Sequence, residues 1–182
     1  AVNWFRKAAE QGLPAAQCEL GTCYEYGNGI TKDLVESVKW YRKAAEQEYP
    51  LAQYKLGLAY VIGEGISQSP EIATEWFRKS AVQGNSDAQY MLGVGYSEGE
   101  GVLKNEVEAV IWYRRAAEQG QSGAQYSLGY CYGNGVGVAK NPTESIKWYR
   151  KSADQGNEEA KKSLNALLGQ TKRASSADPF AE

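Results

Sequence analysis

Between residues 16 and 26 the apolar positions Ala16, Leu20 and Tyr24 recur every four residues, which marks one stripe of an α-helix. A second apolar set follows at Trp40, Ala44 and Ala45, beyond a loop that carries Gly27 and Gly29. The pattern predicts a helix over about 16–26, stopped by the glycine pair, because glycine readily takes the left-handed backbone of a helix end. A second helix is predicted to open after Asp33. The equivalent positions later in the chain hold Ser69, Asn105 and Asn141, whose side chains accept hydrogen bonds from free backbone amides. Pro70 and Pro142 come next, at the one helical position where a missing N–H does no harm. Glu36, Glu108 and Glu144 stand three residues after their caps and predict capping boxes, whereas the second repeat has Ile72 there.

These elements recur with one period. Trp4, Trp40, Trp76, Trp112 and Trp148 fall 36 residues apart. Leu20, Leu56, Leu92 and Leu128 share the spacing, as do Gly21, Gly57, Gly93 and Gly129 and the terminal alanines Ala9, Ala45, Ala81, Ala117 and Ala153. A fixed period of this length belongs to stacked units that each bury a face against the next. Glycine inside a helix costs about 1 kcal/mol against alanine, so its recurrence at position 21 and its equivalents predicts close helix–helix approach. Trp40, Ala44 and Ala45 are expected on the buried side of the second helix. The units are expected at 13–48, 49–84, 85–120 and 121–156. Residues 1–12 read as the second helix of a truncated repeat, 157–169 as a polar capping helix, and 170–182 as a disordered tail. The start inside a second helix suggests a piece of a longer array.

One full unit, Ala88 to Gly120, reads A-Q-Y-M-L-G-V-G-Y-S-E-G-E-G-V-L-K-N-E-V-E-A-V-I-W-Y-R-R-A-A-E-Q-G. It resembles the Sel1-like repeat, a relative of the tetratricopeptide repeat with a longer loop between its helices. The resemblance implies an all-α fold, a right-handed α-solenoid of 36-residue antiparallel helix pairs. It also implies a non-catalytic scaffold or adaptor that binds a protein or peptide on the concave face, lined by the first helices. Some cysteine-rich relatives are associated with β-lactam binding, which makes a hydrolase an alternative; a structural spacer within a longer array is another. Cysteine pairs recur in each repeat of those relatives, and this chain departs from that pattern.

Charge and chemistry narrow the picture. The net charge of −2 argues against nonspecific binding to nucleic acid or an anionic membrane. No apolar run is long enough to span a bilayer. There is no histidine, the commonest general base and metal ligand. No cofactor or metal is implied. Neither Ser37, with Trp40 three residues on, nor Ser80, with Gln83, makes a serine–lysine motif. The G-x-G loops lack the lysine and preceding strand of a phosphate cradle. Three cysteines give no paired framework, and Cys18 and Cys23 point in different directions from one helix. This favours a reducing compartment such as the cytoplasm, although a thiol-poor protein of the periplasm or a secretory lumen would read alike.

The basic pairs from Arg6-Lys7 to Arg150-Lys151 read as a solvated ladder along the second helices, with Arg6, Arg42 and Arg114 paired to Glu10, Glu46 and Glu118. Asp178-Pro179-Phe180 resembles a short endocytic adaptor motif, although tripeptides recur by chance. The more informative positions are those where the first helices differ between repeats. Leu58, Val94 and Tyr130 share one column with Thr22, and Val61, Ile62 and Met91 neighbour it. Exposed apolar groups in a row point to a groove for a peptide or helix, unless they pack between adjacent first helices. Tyr54, Tyr90 and Tyr126 lean toward the same face, where packing is an equal explanation. Trp4 and Phe5, without a covering helix, would offer an edge for self-association.

Overall fold

The computed structural model describes residues 2–176, and among these it contains ten α-helices and no strand. The chain divides into two compact units, Ala1–Lys104 and Asn105–Glu182. The first holds α1 (Val2–Glu10), α2 (Pro14–Tyr26), α3 (Leu34–Glu46), α4 (Pro50–Ile62), α5 (Pro70–Val82) and α6 (Ser86–Glu98). The second holds α7 (Glu106–Glu118), α8 (Ser122–Asn134), α9 (Pro142–Asp154) and α10 (Glu158–Ser176). Within each unit every helix packs on the next, so the fold is all-α and built from repeated helix pairs.

The sequence signals act as expected at the helix ends. Gly27, Gly63, Gly99 and Gly135 end the first helices in the left-handed region. Asp33, Ser69, Asn105 and Asn141 cap the second helices, each accepting from a backbone amide two or three residues on. The reciprocal half of the capping box is a correction. The amides of Asp33 and Asn141 donate instead to the carbonyls of Tyr24 and Tyr132 on the preceding helix. Glu36 and Glu144 turn to Lys39 and Lys147. A tertiary carbonyl had already taken the donor the glutamate would have used.

Packing is tightest where the repeat columns predict it. Leu20, Leu56, Leu92 and Leu128 are completely buried. A Cβ added at Gly57 would stand 2.6 Å from the Phe77 ring, and one at Gly129 would stand 2.7 Å from the Tyr149 ring, so glycine is required by the neighbouring aromatic. The second loop glycine locks successive repeats: a Cβ at Gly101 would lie 2.1 Å from the Pro70 carbonyl oxygen.

The expected burial of the tryptophan column is corrected. Trp4 is 75% exposed, Trp40 and Trp76 are half-buried, and only Trp112 and Trp148 are buried. The consistently buried aromatic is the next residue, Tyr41, Phe77, Tyr113 or Tyr149. The tryptophans instead lie under cations from the following turn. Lys43, Lys79, Arg115 and Lys151 sit 4.1–4.5 Å from the ring centres of Trp40, Trp76, Trp112 and Trp148. The arginine–glutamate pairs give way as well. Arg42 donates to the Tyr60 hydroxyl at 2.9 Å and Arg114 to that of Tyr132 at 2.7 Å. A guanidinium over a partly desolvated ring gains more than a solvated ion pair, which is why the basic ladder is structural.

α10 runs on to Ser176, past the boundary expected at residue 169. Gln170–Ser176 contains neither proline nor glycine, so nothing local stops the helix. The rest of that tail, including Asp178-Pro179-Phe180, lies outside the described residues. At the other end Phe5 packs on Ala9, Ala16 and Leu20, while Trp4 stays exposed.

Candidate functional site

The first helices place the varying residues on the side opposite their buried leucines. In the Ala1–Lys104 unit, Tyr54, Leu58, Val61, Tyr90, Met91 and Val94 are all half-buried, and Ile62 is 61% exposed. In the other unit Tyr126 is half-buried and Tyr130 is 49% exposed. Tyr54 and Tyr126 pack inward on the buried aromatic of their own repeat. The Tyr54 and Phe77 ring centres are 6.0 Å apart, and those of Tyr126 and Tyr149 are 5.6 Å apart.

These residues gather into sockets that recur at one register between successive repeats. The first socket, of about 60 Å³, combines Leu58 and Ile62 with Tyr41, Glu25 and Lys55. The second, of about 40 Å³, brings Val61, Met91 and Val94 together over Phe77. Another, in the Asn105–Glu182 unit, opens to about 600 Å³ and is walled by Tyr126, Tyr130 and Tyr149. Its remaining lining includes Gly133, Lys140, Ser163, Ala166 and Leu167. Burial, followed by the nearby Tyr126, pushes the Tyr149 hydroxyl up to about 12, and a hydrogen bond with Ser163 acts against the shift. Burial also raises Tyr54, with Asp87 adding to it.

Two polar networks were not found by sequence reasoning. In the first socket, Tyr41 donates a short hydrogen bond to Glu25, and Glu25 pairs with Lys55 at 3.4 Å. Thr22 Oγ1 lies 3.0 Å from the Tyr41 hydroxyl. Burial, then the bond to Glu25, holds that hydroxyl protonated far above the usual phenol range. Its signal was the polar set Thr22, Glu25 and Lys55, whose equivalents one repeat on are Leu58, Val61 and Met91. The second network is a buried glutamine column. Gln53 donates to the Ala45 carbonyl at 3.2 Å and accepts from Gln83 at 2.8 Å. Gln17 and Gln125 repeat the arrangement with Ala9 and Gln47, and with Ala117 and Gln155. The period of 36 at Gln17, Gln53, Gln89 and Gln125 was the available signal. These bonds stitch one repeat to the next and satisfy helix-end carbonyls.

Cys18, Cys23 and Cys131 are buried free thiols, and burial is the main reason that Cys18 is pushed up to about 12 and Cys131 to about 11. Among the described residues no group of three metal-ligating side chains converges. No described helix is long and apolar enough to cross a membrane.

Comparison with known proteins accounts for this arrangement. A search of curated proteins found no match. Among solved structures, the chain is similar to a protective antigen present in uropathogenic Escherichia coli strains, which displays an SLR fold. The two share 42% identity with a TM-score of 0.91 over 94% of this chain. This chain spans only 37% of the antigen's length. A Sel1 repeat protein from Oxalobacter formigenes is also 42% identical, with a TM-score of 0.85 over 93% of this chain and 68% of that one. An immunity protein from Pseudomonas aeruginosa is 27% identical, with a TM-score of 0.58 over 87% of this chain and 59% of that one. The Sel1 repeat model matches residues 1–13, 14–49, 50–85, 86–121 and 122–157. The chain therefore belongs to the Sel1 repeat family, whose α-solenoid fold commonly serves as a protein–protein interaction scaffold.

Proposed function

We propose that this chain is a non-catalytic scaffold that takes a peptide or helix on the face of its first helices. In the Ala1–Lys104 unit the contact residues are Tyr54, Leu58, Val61, Ile62, Tyr90, Met91 and Val94. In the Asn105–Glu182 unit they are Tyr126 and Tyr130. The observation that carries this reading is the contrast along each first helix. The leucine common to all repeats is fully buried, whereas the positions that change between repeats stay accessible and largely apolar. Accessible apolar groups in register are costly to leave in water and are suited to an amphipathic or extended segment.

A spacer role has one observation in its favour: Val61, Met91 and Val94 leave only about 40 Å³ between them, as side chains packed against each other would. The test is capture of a partner from source-cell lysate by the parent chain and by a Leu58→Asp, Val94→Asp variant, after circular dichroism has shown both to be folded. A partner held by the parent and lost by the variant supports recognition on this face. A partner held equally by both overturns it, and no partner for either favours the spacer.

A further inference from the structure

The three sockets share a register but not a lining. In the first, Glu25, Lys55 and Leu58 close the space; in the second, Val61, Met91 and Val94 do. At the equivalent positions of the third stand Gly133, Ser163 and Ala166, each smaller than its counterparts. Their loss of side-chain volume accompanies the change from about 40 Å³ to an open hollow of about 600 Å³, and so does the loss of the loop at Glu100, where α10 runs on as helix. The fully buried leucine of the preceding first helix stays the same, Leu56 in one case and Leu128 in the other, whereas the counterpart of Leu92 is the half-buried Leu164. An open hollow left by three trimmed side chains forfeits packing energy, and an occupant would restore it.

The lining specifies the occupant. Tyr126, Tyr130 and Tyr149 supply aromatic rings, and Pro142 and Leu167 add apolar surface. Aromatic rings of this number would also suit a cation, but among the described lining residues Lys140 is the one charged group and repels one. The same lysine attracts a carboxylate. Resting on the reading of the first-helix face as the binding face, we propose that this socket anchors a partner peptide through an aromatic side chain adjacent to a carboxylate.

The probes are N-acetyl-phenylalanine, its uncharged amide and N-acetyl-trimethyllysine, each titrated into the 182-residue chain and followed by amide chemical shifts. The expected result is saturable movement at Gly133, Ser163 and Ala166 with the acid. The amide should bind about two- to fivefold more weakly, as an exposed ion pair would give. Ser163→Met with Ala166→Val installs the residues of the second socket and should weaken the acid about tenfold or more at unchanged helix content. Lys140→Gln should remove the preference for acid over amide and leave amide binding alone. Stronger binding of trimethyllysine, or acid binding that ignores the filled socket, overturns the proposal. The Leu58→Asp, Val94→Asp variant separates this failure from failure of the broader reading. A protein partner lost with that variant but kept by the filled socket overturns the anchor alone, leaving the first-helix face in place.

Discussion

The socket over Phe77 and the socket over Tyr149 are built on matching helices, capped by the same kinds of residue, above an equally buried leucine. One is nearly full and the other is open. The difference goes with smaller side chains at three register positions and with α10, which runs on as helix where the second socket has the loop at Glu100. It teaches that this chain separates two tasks by column. Repeated columns hold helix to helix, and varied columns decide what each inter-repeat space can accept.

Substitutions in the two regions can break or sharpen that separation. The largest effect is expected in the leucine column: Leu92→Ala and Leu128→Ala should each cost about 2–5 kcal/mol in chemical denaturation, because both side chains are fully buried. A much smaller cost for one of them would mean that the frame is not common to both regions. Ile62→Ser, at an exposed varied position, should stay within about 0.5 kcal/mol.

Next in size are the helix glycines. Gly57→Ala and Gly129→Ala gain helix propensity but drive a methyl into an aromatic ring, for a net loss of about 1–3 kcal/mol read by thermal melting. Stabilisation by either change would show that the ring can move away and that the close approach is not required. Gln53→Leu, which strips the Ala45 carbonyl and Gln83 of their partner, should cost about 1–3 kcal/mol by the same measurement.

The smallest effect is alkaline. An unfolded thiol ionises near 9.0, while folded Cys18 keeps its proton up to about 12. The folded state therefore holds the extra proton, and stability is full below pH 9 and falls as pH rises toward 12. Between pH 8 and pH 10 the loss from Cys18 should be about 1 kcal/mol, and Cys18→Ala should remove that part of the slope. Cys131, raised to about 11, should add a similar loss from the other unit over a narrower window.

Much of the frame was legible because each signal is local or periodic. Gly27 and its equivalents stop a helix through their own backbone freedom, and Asp33 and its equivalents start one through their own side chains. The candidate face was legible only as a set of positions that vary. Whether Val61 and Met91 enclose a packed contact, or Gly133 and Ser163 leave a cavity, depends on residues about 30 apart meeting across two helices. The tryptophan column misled because size and periodicity point to burial alike for Trp40 and Tyr41. A rotation of one residue around the helix, about 100°, decides which of them enters the core.

From sequence alone came the period, the caps and stops of the repeated helices and the family resemblance, since these follow from short-range chemistry repeated along one chain. Tertiary structure decided which aromatic is buried, where the basic ladder spends its charge and which socket is open. Those outcomes depend on distances between separate helices, which no spacing along the chain encodes.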